Sequence, residues 1–323
     1  MVDKTKALSV VAIGGGTGLS SLLRGLKFFD DIDIHAIVTI TDEGGSSGKI
    51  REELQIPPPG DVRNNLIALA KDETLFSKLF NFRFQTNGTL RGHNVGNIIL
   101  AALTKILGGF SEAVKESSKI LAIKGEVLPV TDKLVRLVAE MDDGSEIIGE
   151  TEIINSKSKI RQIRLSEEVE ALPKVIDAIK KANGIIIGPG SLYTSLISNL
   201  LIKGVRESIV ENENAIKIYI ANIMTQPGET IGYTLSDHVS EIVKYLGCKV
   251  NYVIANSQKL PDDDLERYRS QGSEQLKLDI EKIDVPVFAE PLLKMEVDPR
   301  DGLNKARHDS EKLGKLVKRL LSW

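Results

Sequence analysis

An apolar run that ends in a cluster of glycines is the feature that most constrains how this chain folds. Residues 10–13 are apolar, and glycine fills four of the next five positions. Apolar residues then recur at helical spacing from Leu19 to Phe29. This pattern predicts a buried parallel strand, a tight turn and a helix that packs back on the sheet. The free N–H groups and the dipole at the start of such a helix favour an anion, most often a nucleotide phosphate.

The spacing of these glycines departs from the dinucleotide-binding fingerprint. In the frame G-x-G-x-x-G that starts at Gly14, the third glycine position holds Leu19, and in the frame that starts at Gly16 it holds Ser21. We therefore do not expect an NAD(P)-dependent oxidoreductase. The turn serves either as a phosphate site or for close packing of the helix on the strand. A phosphate site here would consist of Gly14, Gly15, Gly16, Thr17, Gly18 and Leu19.

Composition and charge exclude several classes of protein. The 323 residues suffice for one large α/β domain or two smaller ones, and a net charge of -3 gives no electrostatic support for nucleic-acid or anionic-membrane binding. Cys248, the only cysteine, excludes disulfides within the chain and thiolate zinc sites. The sequence contains neither an apolar leader before the first strand nor a run of about 18 apolar residues. We therefore expect a cytoplasmic protein without a membrane span.

Two more glycine-rich segments follow predicted buried strands. Residues 34–40 predict a strand that ends in the segment 41–49, and residues 184–187 predict one that ends in the segment 188–195. Polar residues also follow the predicted strand 216–221. Since the carboxyl ends of parallel strands meet at one edge of a sheet, these segments should form a common ligand site. The candidates are Thr41, Gly44, Gly45, Ser46, Ser47, Arg51, Gly188, Pro189, Gly190, Ser191, Tyr193, Thr194, Asn199, Asn222, Thr225 and Gln226.

Titratable residues near these segments are candidates for chemistry. Asp42 could hydrogen-bond a ribose, hold Mg²⁺ or cap its turn, and Asp61 is well placed to cap the following helix. His93 and Asn97 should share one face at the start of another helix. His93 is therefore the best candidate for a general acid or base, although a histidine at this position also serves as a cap. The polar neighbours of these residues are Asn64 and Asn94.

The rest of the chain predicts an antiparallel insertion and a helical tail. Short strand-like runs around a hairpin turn at 142–145 indicate an antiparallel subdomain at about 125–165 within the parallel sheet. Residues 303–323 predict a basic amphipathic helix after a single domain of residues 1–302. Such a helix can dock on a membrane or a partner, but we expect it to pack against its own domain or a second subunit, and we expect a homo-oligomer. Residues 75–84 hold four of the eight phenylalanines, which predicts either core or an aromatic pocket wall.

Five motifs in the order found here resemble those of the CofD-like family. They are residues 13–18 (IGGGTG), 41–48 (TDEGGSSG), 58–64 (PPGDVRN), 92–97 (GHNVGN) and 188–194 (GPGSLYT). Within the family, the chain is similar to the YvcK branch, the gluconeogenesis factors, over residues 8–290. The resemblance implies an α/β fold with a Rossmann-like, mainly parallel sheet and helices on both faces. It places Thr17, Asp42, Asp61, Asn94 and Asn97 in the binding cleft.

The resemblance implies two alternative functions. The family archetype is a 2-phospho-L-lactate transferase, which moves a phospholactyl group from a guanosine diphosphate carrier to a deazaflavin with Mg²⁺. Asp42 and Asp61 would then hold the metal, and His93 would carry a proton. The YvcK branch is associated with growth on gluconeogenic carbon sources, with cell shape and cell-wall synthesis, and with binding of UDP-N-acetylglucosamine.

We expect the second of these functions: binding of a nucleotide diphosphate sugar without turnover, with cell-envelope synthesis proteins as partners. The family's late Arg-Tyr segment, also part of the implied site, falls on Arg267 and Tyr268. Just after it the chain has Gln271-Gly272-Ser273, where the family pattern predicts Glu-Gly-Ala.

Overall fold

A parallel sheet of seven strands forms the centre of the computed structural model, which describes residues 7–71, 75–298 and 302–322. Two smaller antiparallel sheets accompany it. The strands are β1 (Leu8–Gly14), β2 (Ile32–Val38), β3 (Glu126–Pro129), β4 (Leu137–Met141), β5 (Glu146–Ile148), β6 (Ile160–Leu165), β7 (Gly184–Ile187), β8 (Ile216–Ile220), β9 (Tyr252–Asn256), β10 (Val287–Glu290), β11 (Leu293–Val297) and β12 (Asn304–His308). The helices are α1 (Gly16–Leu26), α2 (Gly45–Leu54), α3 (Gly60–Leu69), α4 (Leu75–Asn81), α5 (Val95–Leu107), α6 (Phe110–Ile120), α7 (Glu150–Asn155), α8 (Pro173–Lys181), α9 (Ser198–Leu200), α10 (Val205–Glu211), α11 (Leu235–Leu246), α12 (Asp262–Ser270) and α13 (Ser310–Leu321). A π-helical segment, Leu192–Ile197, directly precedes α9.

The strand order across the main sheet is β10-β9-β8-β7-β1-β2-β3, and each neighbouring pair is parallel. Strands β2 and β3 follow β1 on one side of the sheet. Strand β7 then pairs with the other side of β1, and β8, β9 and β10 follow it in order to the opposite edge. The direction therefore reverses between β1 and β7, where Ile13 pairs with Ile187. Open α/β sheets bind ligands in the crevice at such a switch point. The doubly wound sheet confirms the predicted fold class.

The central strands are continuously apolar because helices cover the sheet. Residues 10–13 of β1 and 185–187 of β7 are completely buried. Such runs, without alternation of polar and apolar residues, are typical of parallel strands with both faces covered. Helix α1 buries a stripe of leucines at helical spacing, which fixes its first turn close to the end of β1. The members of that stripe are Leu19, Leu22, Leu23 and Leu26.

The antiparallel insertion begins later than its sequence predicts. Strands β4, β5 and β6 form a three-stranded antiparallel sheet in the order β5-β4-β6. Residues 126–129, predicted to belong to it, instead form β3 and pair in parallel with β2 at the edge of the main sheet. The consecutive residues Val127 and Leu128 are both buried, so both faces of this strand are covered, as is typical of a parallel sheet. A strand with one solvent-exposed face would alternate buried and exposed residues.

The predicted tail helix is shorter than residues 303–323. Residues 304–308 form β12, which pairs antiparallel with β11, and the helix begins only at Ser310, capped by the Asp309 side chain. Residues 1–6 and Trp323 lie outside the described ranges. Helix α13 packs against α1 of its own domain, which is one of the two predicted alternatives. Across residues 7–71, 75–298 and 302–322, every helix, α13 included, lacks the length and apolar character needed to cross a membrane.

Two glycines let α13 approach α1 at backbone distance. A Cβ atom on Gly25 would lie 1.9 Å from the carbonyl oxygen of Ser310, and one on Gly314 would lie 2.7 Å from the carbonyl carbon of Gly25. These distances are far below van der Waals contact, so neither position accepts a side chain unless the helices separate.

We predict that Gly25→Ala lowers the free energy of unfolding by about 1–3 kcal/mol or more, because the methyl group forces α13 away from α1. Denaturant unfolding measures the change. Arg24→Ala is the matched control, since Arg24 is exposed on the same helix and should leave stability nearly unchanged. Equal stability of Gly25→Ala and the parent protein would contradict the close packing of the two helices.

Candidate functional site

A cavity of about 410 Å³ lies at the switch point of the main sheet. Its lining comes from the segments that follow β1, β7 and β8, three strands adjacent in the sheet, and from α12 and β12. We call it the switch-point cavity. The lining includes thirteen of the residues predicted from the sequence, namely Gly15, Gly16, Thr17, Gly18, Asp42, Asp61, Pro189, Gly190, Ser191, Asn222, Thr225, Gln226 and Tyr268.

The start of α1 forms one wall of the cavity, and its glycines allow other groups to come close to its backbone. Gly15, the N-cap residue, is extended and has no side chain to cap the helix, and Gly16 has a φ of +58°. A Cβ atom on Gly18 would lie 2.6 Å from the carbonyl oxygen of Pro189, so the loops after β1 and β7 touch through their backbones. Thr17 is exposed at the cavity. The amides of this first turn have no intrahelical acceptors, so those without a partner elsewhere in the protein can bind an anion.

Asp61 lies directly beneath this turn. It sits in the first turn of α3, and its carboxylate accepts a hydrogen bond from the backbone N–H of Gly16. A Cβ atom on Gly15 would come within 2.4 Å of Asp61 Oδ2, so a glycine is needed there too. The sequence predicts a helix cap for Asp61, but Pro59 is the N-cap residue of α3, and Asp61 instead supports the glycine turn.

Three carboxylates face the cavity from different parts of the chain. Asp42 follows β2, Asp61 begins α3, and Glu150 begins α7 in the antiparallel insertion. Burial, reinforced by the negative charge of Asp42, raises the pKa of Asp61 to about 7 and that of Glu150 to about 9. The backbone N–H of Glu43 donates to Glu150 Oε2 at 2.9 Å and holds that side chain in place. The sequence analysis missed Glu150 because nothing in residues 125–165 indicates that the insertion reaches the edge of the main sheet.

The third glycine-rich segment offers fewer free amides than its sequence predicts. The N–H groups of Tyr193 and Thr194 donate to the carboxylate of Glu229, at 2.9 and 3.4 Å, and the Thr194 hydroxyl donates to it at 2.9 Å. Glu229 is buried, and burial raises its pKa. The protein's own carboxylate therefore occupies the place where an anion would bind, and of this segment residues 189–191 and Ser195 line the cavity.

Seventeen predicted site residues do not line the switch-point cavity. Several are buried and already bonded within the protein. Thr41 donates to the carbonyl of Thr194, and Asn199 donates to the carbonyls of Gly14 and Ser195. The residues outside the lining are Gly14, Leu19, Thr41, Gly44, Gly45, Ser46, Ser47, Arg51, Asn64, His93, Asn94, Asn97, Gly188, Tyr193, Thr194, Asn199 and Arg267.

The cluster around His93 connects three helices instead of lining the cavity. Ser46 Oγ of α2 lies 3.3 Å from His93 Nδ1, and it accepts hydrogen bonds from the Asn94 backbone and the Asn97 side chain. Asn94 caps α5, and Asn97 Oδ1 accepts from Arg63 of α3 at 2.8 Å. His93 precedes α5 and so does not share a helix face with Asn97. These side chains fix the helices behind Asp42 and Asp61.

Arg51 lies in a separate polar network. It pairs with Glu43 at 3.1 Å and donates to the carbonyl of Val135, while Arg136 binds the same Glu43 carboxylate. Burial lowers the pKa of Arg51, although Glu43 opposes the shift. This network lines a second hollow of about 350 Å³ between α2 and the antiparallel insertion.

The segment near the carboxyl terminus supplies residues that the sequence analysis missed. Ala306, Arg307 and His308 of β12 line the switch-point cavity. The Tyr268 hydroxyl accepts the N–H of Ala306 at 2.8 Å, so the predicted late segment positions this strand. Arg307 carries the one permanent positive charge in the lining that the described residues form, and the same lining holds three carboxyl side chains. Strand β12 has only five residues and lies within a segment predicted to be helical, so its alternating pattern is too short to be recognised in the sequence.

The fold and site define a class of protein: a doubly wound α/β protein with a glycine-rich helix start and a polar cleft at its switch point. The family model described as 2-phospho-L-lactate transferase CofD matches residues 10–293. A Thermotoga maritima protein is 54% identical over 98% of this chain and 100% of its own length. The gluconeogenesis factor of Bacillus subtilis is 44% identical over 97% of this chain and 98% of its own. The chain belongs to the CofD family, in the branch of the gluconeogenesis factors.

A solved structure supports this assignment. The crystal structure of a Bacillus halodurans member of the UPF0052 family superposes with a TM-score of 0.91. It shares 41% sequence identity and covers 97% of this chain and 99% of its own. The similarity therefore extends to the main sheet, the antiparallel insertion and the segment near the carboxyl terminus together.

We predict that Glu150→Gln stabilises the protein at neutral and alkaline pH. Because the pKa of Glu150 rises from its ordinary value of 4.5 to about 9, the folded protein keeps a proton that the unfolded chain loses between these values. The free energy of unfolding therefore falls as pH rises through this window, and glutamine removes that loss. The variant should match the parent below about pH 4.5 and exceed it by roughly 2 kcal/mol or more near pH 8.

Denaturant unfolding across this pH range measures the effect. Glu152→Gln, on the exposed side of the same helix, is the matched control and should show little pH-dependent difference. A Glu150→Gln stability difference that does not change with pH would show that Glu150 is not held in the protonated form.

Proposed function

We propose that this protein binds a nucleoside diphosphate sugar of the UDP-N-acetylglucosamine type in the switch-point cavity. The observation that carries the proposal is the glycine-rich start of α1 at the reversal point of the sheet, where glycines bring the backbone against the ligand space. The diphosphate would bind the amides of Thr17 and Gly18, because the Gly16 N–H already donates to Asp61. The cavity continues past polar Asn222, Thr225 and Gln226 to Tyr268 and β12, which gives space and hydrogen-bonding groups for a base and a sugar.

The cellular role that we propose follows from the relatives. The Bacillus subtilis relative is named a gluconeogenesis factor. We propose that this protein supports growth on gluconeogenic carbon sources, acts in the cytoplasm and connects carbon status to cell-envelope synthesis and cell shape through partner proteins. If its ligand is a precursor of the cell envelope, the protein can act as a sensor of the supply of that precursor. The expected homo-oligomer stays a prediction.

Isothermal titration calorimetry with UDP-N-acetylglucosamine, GDP and NAD tests the ligand class. We expect saturable binding of the UDP sugar without its consumption, and weaker or no binding of NAD. Preference for NAD, or absence of binding to both UDP-N-acetylglucosamine and GDP, would overturn the proposal.

We predict that Thr17→Ala weakens binding of UDP-N-acetylglucosamine about tenfold, because it removes one hydroxyl donor beside the diphosphate. Thr17 is exposed, so thermal stability should hardly change. Thr17→Ser keeps the hydroxyl and should bind nearly as well as the parent. A large loss of thermal stability in Thr17→Ala, with unchanged affinity in the remaining folded protein, would mean that the residue is structural.

A second candidate function is a Mg²⁺-dependent transferase acting on a nucleotide diphosphate ester. The matched family model is described as a transferase, and the observation that favours this candidate is the carboxylate cluster beside the proposed diphosphate site. Among the described residues, no group of three or more acidic, histidine or cysteine side chains is arranged to hold a metal ion by itself. Mg²⁺, however, typically takes one or two carboxylates together with phosphate oxygens and water. Asp42 and Asp61 fit that pattern and would supply the two carboxylates.

We predict that the affinity for UDP-N-acetylglucosamine without divalent cations falls about tenfold or more from about pH 6 to about pH 9. The raised pKa values of Asp61 and Glu150 mean that both groups lose protons in this range, and their charges then repel the phosphates. Adding Mg²⁺ should flatten the dependence, because the cation replaces the protons. Asp42→Asn should lose most of the Mg²⁺ effect.

Calorimetry across this pH range, with and without Mg²⁺, measures the linkage, and chromatography of the ligand after incubation detects turnover. An affinity that is independent of pH and of Mg²⁺ would place the phosphates away from the carboxylates. Metal-dependent consumption of a nucleotide ester would replace the binding function by the transferase.

A further inference from the structure

One ring nitrogen of His308, a residue that lines the switch-point cavity, is buried and has no hydrogen-bond partner in the part of the chain that the structure describes. His308 is the last residue of β12 and lines the cavity, although it is only 5% exposed. Its Nε2 atom has no partner among residues 7–71, 75–298 and 302–322. A buried polar atom without a partner costs about 1–3 kcal/mol, so native proteins rarely keep one without a reason.

The surroundings of the His308 ring determine its charge and which of its two nitrogens carries the proton. Burial lowers the pKa of His308 to about 4, and the positive charge of Arg307 acts in the same direction, while a hydrogen bond with the Ala221 backbone opposes them. The imidazole is therefore neutral at pH 7. Since Nε2 has no partner within the described ranges, we assign the contact with the Ala221 backbone to Nδ1, which then carries the proton. This tautomer leaves Nε2 as a hydrogen-bond acceptor.

The strand that carries His308 is held firmly in place. His308 pairs with Leu293 of β11, and the next residue, Asp309, caps α13. On the other side, Tyr268 of α12 accepts the N–H of Ala306. Nε2 is therefore a fixed acceptor, and its position does not depend on a mobile side chain.

A fixed neutral acceptor selects a particular kind of ligand group. Phosphate oxygens carry no proton at neutral pH, so they have nothing to donate to Nε2 and would meet a repulsive lone pair. Hydroxyl groups of a ribose or hexose, an acetamido N–H and a ring N–H of a base all donate. A site built around a hydrogen bond to such a group rejects ligands that lack it.

We propose that His308 Nε2 accepts a hydrogen bond from an N–H or O–H group of the ligand in the switch-point cavity, which makes His308 a specificity-determining residue. The inference rests on the proposed function in that it takes the nucleoside diphosphate sugar as the occupant of this cavity. It assigns His308 to the sugar or the base and not to the diphosphate.

The first test needs no ligand. Nitrogen-15 NMR of histidine-labelled protein distinguishes a protonated ring nitrogen from one with a free lone pair, and the His308→Leu variant assigns the signal. We expect an unprotonated Nε2 in the free protein from about pH 6 upward. A proton on Nε2 in the free protein at neutral pH would overturn the inference, whatever the ligand is.

The second test measures binding of UDP-N-acetylglucosamine and UDP. His308→Leu, which has no acceptor, should lose about tenfold or more in affinity for UDP-N-acetylglucosamine, whereas His308→Gln, whose side-chain oxygen replaces Nε2, should recover most of it. An equal loss for UDP places the donor on the nucleoside, and a loss only for the sugar nucleotide places it on the sugar.

His238→Leu is the matched control, because His238 is also fully buried and its Nε2 has no partner among the described residues, yet it does not line the cavity. It should change stability without changing affinity. If the parent binds the UDP sugar and His308→Leu binds it within about twofold, the His308 assignment fails while the proposed function stands. If the parent binds neither ligand, the proposed function fails, and the NMR result still decides the protonation state of Nε2.

Discussion

The backbone contact between the loops after β1 and β7 is the constraint on which the rest of the site depends. The two strands pair directly, and the chain reverses its direction of growth between them. Gly18 lies so close to Pro189 that no side chain fits between the loops. This contact sets the distance between the start of α1 and residues 189–191. It thereby determines the width of the cavity, and the other lining segments are arranged around it.

Three glycine-rich junctions with similar sequences have three different environments. At the start of α1, the N-cap is a glycine, the Gly16 N–H donates to Asp61, and the rest of the turn lines the cavity. At the start of α2, Ser46 is occupied by the side chains of His93 and Asn97. At the third junction, Glu229 binds the amides of Tyr193 and Thr194. A glycine turn before a helix therefore presents backbone amides that could bind an anion, and neighbouring side chains determine whether those amides are free.

The parallel sheet and the first glycine turn could be predicted from sequence because their signals are local. Apolar runs such as residues 10–13 have no alternation, and the glycines follow directly. Glu150, Arg307 and His308 could not be predicted, since each reaches the cavity only through the packing of a distant element. The aromatic segment 75–84 illustrates the same limit: Phe80 is buried, whereas Phe76 and Phe82 are largely exposed. Composition alone could not separate them, because exposure depends on what packs against each residue.

The contact of α13 with α1 has a consequence for how the site comes into being. The helix that begins at the glycine turn is the same helix on which α13 docks, and α13 anchors the strand that bears Arg307 and His308. A nascent polypeptide that has been translated only as far as β10 already contains the glycine turn, yet its cleft lacks one side. The proposed binding site is thus completed only late in synthesis, once the segment after β11 has been made and α13 has docked on α1.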